Sequence, residues 1–251
     1  MAASRFTAED LFRTYFWPLY PADAQADLAA ARSTDANPAK NPGVLAHLDE
    51  AAQLFVTGAL VLFETDLNLD FTDASIHRLS VAITKERRDA WLANGEAGTP
   101  ANELFNLVVH GAAYVGACAI RGREEHAHWN VRRPLWESLV ALKSRAGEGE
   151  LAVFHWWLKS LADDAFEGSG HTLADRYRAH VELPTSRPED LPILAPPDRK
   201  LPRITKVRYD VLYKHFKAHL PELRDFGVDF PSPERFDEMG FKWLDFVWVG
   251  E

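Results

Sequence analysis

Apolar residues recur at Leu104, Leu107, Val108, Gly111, Val115 and Cys118 with helical spacing, and the opposite face of the same stretch is nearly as apolar. A helix apolar on every side has no face to give to solvent, so 101–121 is predicted to be a buried central helix. Thr99 and Pro100 supply a start signal, a hydroxyl cap and then a proline whose missing N–H costs nothing in a first turn; Gly122 supplies the stop. Five small residues, Gly111, Ala112, Ala113, Gly116 and Ala117, allow neighbours to approach its backbone closely.

Before this stretch the pattern is mostly helical. Phe6–Trp17 reads as a helix capped by Thr7 with Asp10 three residues on, ended by Pro18, and Pro21–Arg32 as a second helix. Residues 33–43 are a loop by composition, and Val44–Gly58 is helical through Val44, Leu48, Ala51, Ala52 and Phe55. The period then changes. Ala59–Phe63 is continuously apolar and Leu67–Phe71 alternates, both strand-like patterns, before Thr72 caps one helix running over 72–92 with an inward stripe of Ile76, Leu79 and Ile83.

Beyond Gly122 the pattern turns to sheet. His128–Val131 is a short strand, and Ser138–Lys143 and Glu150–Phe154 flank two glycines as a hairpin. His155–Ala165 and a Thr172-capped segment running to Val181 are helical. Residues 184–202 hold six of the fifteen prolines and predict an extended strap, followed by a helix over 204–220 and an aromatic strand, FKWLDFVWV, over 241–249. The expected class is α+β: several helices around the buried central helix, packed on a small antiparallel sheet. Residues 1–183 form the main domain, with 184–251 an extension packed on it.

Composition narrows the class. A chain of 251 residues, 47% hydrophobic, is ample for a large core. The lone cysteine, Cys118, excludes a disulfide framework and points to the cytoplasm; on a buried apolar helix it lacks the polar, cationic surroundings of a reactive thiolate. The N-terminus carries acids and no apolar run, so no secretory signal is expected. The central helix, interrupted by Asn106 and His110, falls short of the ~20 apolar residues of a membrane span. Of the net charge of −9, residues 1–120 hold most, with 8 basic against 15 acidic side chains. Such a surface repels nucleic acid and anionic membrane and favours a basic partner; simple solubility is the other reading.

Leu69-Asp70-Phe71-Thr72, then Ala112 to Ala117 with Tyr114 and Gly116 inside it, then Trp129, then Leu173 to Tyr177 form a series. Together, over residues 60–182, they resemble a group of bacterial proteins of no assigned function. That group has an Asp-aromatic strand end, a Ser/Thr-capped helix, a Gly-Ala-Tyr-apolar-Gly-Glu helix and Trp-containing strands. Here Ala112 stands where the first glycine is usual, and Ala117 replaces the glutamate. The resemblance implies a compact α+β domain and no activity.

Candidate chemistry is sparse. His126 and His128 fall on one face of a strand, as a metal pair requires, but further ligands must come from elsewhere and EEHAH reads equally as a polar loop. His215 and His219 share a helix face without the glutamate of the zinc-protease signature. His110 reads as a core histidine, and Asp163-Asp164 as charges at a helix end. Arg203, Lys206, Asp210, Lys214 and Lys217 make a basic face that nucleic acid or the acidic half of the chain would satisfy. Glu64, Asp66, Asp70 and Asp73, four acids in ten residues around strand and helix ends, either line an acidic recognition face for a basic partner or simply solubilise a loop.

These features favour a non-enzymatic cytoplasmic binding protein, in its sharpest form an immunity-type protein that neutralises a basic bacterial toxin through Glu64, Asp66, Asp70 and Asp73. Its partner is a protein; no metal or other cofactor and no membrane is expected. The alternatives are a hydrolase-like enzyme with a site assembled from distant histidines and acids, and a structural subunit.

Overall fold

The structure, a computed structural model, describes residues 6–34, 41–144, 147–167 and 172–186, together with Lys214. The chain divides into two compact units, Met1–Pro188 and Glu189–Glu251, and apart from Lys214 the described residues belong to the first. The predicted helix over 204–220, the aromatic strand, the His215/His219 pair and almost all of the proline strap and basic face lie outside the described residues. Lys214 is exposed.

Over the described residues the architecture is α+β, mostly helical with one small antiparallel sheet. Helix α1 (Ala8–Leu11) opens on a reciprocal capping box between Thr7 and Asp10, and runs on as a wider turn to Phe16. The predicted helix over 21–32 is two, α2 (Ala22–Ala26) and α3 (Leu28–Ser33), because the Asp27 side chain leaves the helical path to cap Ala30.

Helix α4 (Pro42–Phe63) starts with proline in its first turn and carries straight through Ala59–Phe63. The strand expected there does not form. Leu48, Ala52, Phe55, Ala59 and Phe63 continue one buried stripe at three- and four-residue spacing, so the apolar run is the helix's last turn.

Residues 67–71 also form no strand; they are a loop bent by left-handed residues. Helix α5 (Asp73–Ala82) and helix α6 (Lys85–Ala93) replace the single long helix predicted from Thr72, with the Thr84 side chain capping the second. The Thr72 hydroxyl does not cap α5.

The central helix is α7 (Glu103–Ile120), with twelve of its eighteen residues buried. Its cap is Asn102, whose side chain accepts from the Leu104 N–H; Thr99 and Pro100 lie in the preceding turn. Strands β1 (Ala127–Asn130), β2 (Leu139–Ser144) and β3 (Gly147–Leu151) form an antiparallel sheet in that order, with Trp129 opposite Val140 and Val140 opposite Leu151. Helix α8 (Val153–Ser160), helix α9 (Leu173–Tyr177) and the short α10 (Leu183–Thr185) follow, α9 opening on a second capping box between Thr172 and Asp175.

Helix α7 touches α4, α5, α6, α8, β1 and β2. Its glycines set how near two tryptophans come. A Cβ at Gly111 would stand 2.4 Å from the Trp157 ring, and one at Gly116 only 1.9 Å from the Trp129 ring. The small-residue stripe thus receives one aromatic from α8 and one from β1.

By length and composition α4 and α7 are both long and apolar enough to cross a membrane. Here α7 is the core helix, and α4 packs one face on it while Leu54, Leu60 and Val61 remain exposed.

Candidate functional site

The turn between α4 and α5 breaks local backbone rules three times in eight residues. Glu64, Asn68 and Phe71 have φ of 54°, 47° and 62°. Left-handed conformations of non-glycine residues cost of order 1–3 kcal/mol each and persist only where the surroundings impose them. Glu64 is the left-handed cap that ends α4, and two side chains hold the other two. Arg78 of α5 donates to the Leu67 carbonyl (3.0 Å), the Asn68 carbonyl (2.5 Å) and the Asp70 carboxylate (3.1 Å). Tyr114 of α7 accepts the Phe71 N–H at 3.2 Å and shares a hydrogen bond with Ser75 at 2.6 Å.

The four candidate acids separate in this frame. Glu64, Asp66 and Asp70 are exposed, just past Leu60 and Val61, which are 60% and 79% exposed on the last turn of α4. Asp66 accepts the Asn68 N–H at 2.8 Å. The Thr72 hydroxyl donates to Asp70 at 2.6 Å, and this bond, with Arg78 nearby, holds the Asp70 carboxyl below the usual carboxylate range. Asp73 is committed inward. It accepts from both terminal nitrogens of Arg123 and from the Tyr177 hydroxyl at 2.6 Å, bracing α5 against the end of α7 and α9. Burial, then the bond to Asp73, pushes the Tyr177 pKa up.

Beside this turn opens a cleft of about 900 Å³. One wall is Phe71, Thr72 and Asp73; the others are Arg121 to Arg123 at the end of α7, His126 and Lys143 on the sheet side, and Pro184 to Ser186. The Arg121 guanidinium carbon stands 3.4 Å above the centre of the Phe71 ring, a close cation–π contact, and the Arg121 side chain has no hydrogen bond or ion pair to another described residue. Arg123 is fixed: besides Asp73 it donates to Thr185 and to the Cys118 carbonyl. Burial opposes its charge, but the bonds to Asp73 raise its pKa. The Cys118 thiol nearby is buried, which pushes its pKa up to about 12 and removes it as a nucleophile.

His126 lines the cleft, while His128 is exposed outside it; the two alternate with buried Ala127 and Trp129. Among the described residues no group of three or more His, Cys, Asp or Glu side chains is placed to hold a metal ion. His110 is half-buried on α7, and burial lowers its pKa. Asp163 is more than a helix-end charge: it accepts the Phe6 N–H and the Arg88 guanidinium, both at 2.7 Å.

A second cleft, of about 630 Å³, has Phe12, Trp17, Leu28 and Leu158 in its walls. There Arg13 pairs with Glu9, and Arg32 with the buried Glu137.

Sequence reasoning missed Arg121, Arg123, Lys143 and Tyr177. The one local signal was Arg-Gly-Arg directly after a buried helix, two cations where the chain must turn. Comparisons with protein families, with curated proteins and with solved structures find no match, so the reading of this region rests on its geometry.

Proposed function

We propose that this chain is a non-enzymatic cytoplasmic binding protein whose acidic turn, Glu64 to Asp70, engages a basic protein partner. Its most concrete form is an immunity-type protein that occludes a cognate bacterial toxin. One observation carries the reading: three left-handed residues in eight positions, with Asn68 and Phe71 held by Arg78 and Tyr114 and Glu64 closing α4, present the acids on a turn that is costly to build. A turn already ordered loses little entropy on binding, which is where preorganised recognition loops gain affinity.

The adjoining Leu60 and Val61 supply an apolar patch beside the charged rim, the usual anatomy of a protein interface. Glu64 and Asp66 make the contact, with Asp70 at its edge. Asp73 leaves the recognition set, because its carboxylate holds Arg123 and Tyr177.

The test is affinity capture of the tagged full-length chain from its own cells, alongside a Glu64→Lys/Asp66→Lys variant. A stoichiometric basic protein, retained by the wild type and lost at least tenfold with the variant, is the expected result. A partner captured equally by both, or no partner, overturns the proposal.

A further inference from the structure

We infer that the cleft beside the acidic turn binds a small phosphorylated molecule, with the phosphate group seated against Arg121. This is a second site, separate from the protein-binding face, and it stands on different residues.

The charge in the cleft is the first argument. Arg121, Arg123 and Lys143 face one carboxylate, Asp73, which leaves two positive charges over, and His126 adds a donor at the rim. A phosphate monoester carries about −1.5 to −2 at neutral pH and balances that surplus. Lys143 reaches Glu148 at 3.6 Å, but both side chains are more than two-thirds exposed, so this pair is screened by water and easily exchanged.

The accounting of donors is the second. Arg123 spends four of its five N–H groups on Asp73, Thr185 and the Cys118 carbonyl, so it contributes a fixed charge. The hydroxyls of Thr72, Thr185 and Ser186 each donate within the protein, to Asp70, Val181 and Glu182. Arg121 alone on these walls has its whole fork of donors uncommitted, while its flat face is held on Phe71 at 3.4 Å. A planar guanidinium pinned by one face and open along its edge matches phosphate geometry.

The backbone points the same way. Phe71, whose ring lies beneath Arg121, is a bulky residue held at φ 62°, a conformation that costs free energy. With the Thr72 hydroxyl turned to Asp70, the amino end of the ten-residue α5 has no side-chain cap, and its partial positive charge adds to the same wall.

Volume and net charge decide the ligand's size. About 900 Å³ lies in the range of small-molecule sites and exceeds a bare phosphate, leaving room for an organic part against Phe71 and Pro184. A long polyanion is opposed by the chain's net charge of −9.

The experiment is calorimetric titration of the full-length chain with phenyl phosphate, inorganic phosphate and benzoate, repeated on Arg121→Gln and Phe71→Leu. Phenyl phosphate should bind most tightly, inorganic phosphate more weakly, and Arg121→Gln should weaken phenyl phosphate at least tenfold with an unchanged thermal melt. Phe71→Leu, which keeps the arginine and removes its platform, should weaken it severalfold. Silent titrations, benzoate bound as well as phenyl phosphate, or an Arg121→Gln titration equal to wild type would each overturn the inference. The Glu64→Lys/Asp66→Lys variant, which adds positive charge beside the cleft, should bind phenyl phosphate at least as tightly as wild type. Loss of partner capture in that variant beside a silent wild-type titration would sink the phosphate site and leave the protein-binding reading standing.

Discussion

Two arginines, each stacked on phenylalanine, divide this molecule into a part that holds itself together and a part that is open to something else. Arg88 lies 5.5 Å from the centre of the Phe6 ring and 5.2 Å from that of Phe166, with its side chain 3% exposed. Its three nitrogens donate, all at 2.7 Å, to Asp89, the Leu161 carbonyl and Asp163, so a charge buried between aromatics is fully answered. Arg121 sits closer to its ring, is exposed, and answers to no carboxylate among the described residues. The same residue type is a clamp in one place and an unspent donor set in the other; burial and partners separate the two roles, not the stacking.

The sharpest way to break this comparison is to truncate both. Arg88→Ala takes the guanidinium from the Leu161 carbonyl and from Asp163, which keeps the Phe6 N–H, and breaks a buried ion pair, so it should destabilise by about 3–5 kcal/mol. Arg121→Ala removes only a ring contact at the surface and should fall within about 1 kcal/mol of wild type. Chemical denaturation of the two variants side by side measures the difference. Equal losses would mean that Arg121 is as structural as Arg88, and the case for an open cleft would lose its footing.

A second test uses acid and has a smaller reach. The Phe6 N–H and then Arg88 hold the Asp163 carboxyl below its ordinary value of 3.8. A carboxyl depressed in the fold contributes stability that is fully present above the unfolded value and is lost as pH falls through the folded one. Wild type should therefore lose this contribution progressively below about pH 3.8, and Arg88→Ala should lose less in that window because part of the depression is already gone. Arg121→Ala should follow the wild-type acid curve there. Stability measured from pH 5 down to pH 2.5 on the three proteins checks it; parallel slopes for wild type and Arg88→Ala would show that Asp163 does not depend on the arginine.

The helical core was more legible in the sequence than the surroundings of either arginine, and the reason is the range of the interactions. Arg88 meets Leu161 and Asp163 73 and 75 residues on, and Asp163 reads locally as a helix-end charge. Helix α7 announces itself because burial on all sides needs apolar residues on all sides, and Gly111 and Gly116 mark where rings must come close. Thr7 and Thr172 cap their helices through aspartates three residues away, well inside any local window. In 67–71 the alternation of Leu67, Leu69 and Phe71 imitates a strand, yet the backbone groups are satisfied by Arg78 from α5 and by Tyr114, 43 residues beyond Phe71. No local pattern encodes those partners. Asp73 reads as one more acid in a cluster until Arg123 and Tyr177, 50 and 104 residues on, claim its oxygens. Arg121 reads as an ordinary cation after a helix, and only the fold puts Phe71 under it.

The smallest effect is the most discriminating for the turn itself. Glu64 closes α4 in the left-handed region, φ 54° and ψ 19°, the position that most favours glycine. Glu64→Gly should relieve the Cβ clash and raise stability by about 1 kcal/mol after glycine's own entropy cost is set against it. Glu64→Ala keeps a Cβ in the same conformation and should show no such gain. Both remove the carboxylate, so both should weaken capture of a basic partner to the same degree. A variant that becomes more stable as it loses its partner would place strain and recognition on one residue, the trade expected where a fold keeps a costly conformation for use. If Glu64→Gly proves no more stable than Glu64→Ala, the turn is relaxed, and its three left-handed residues stop being an argument for function.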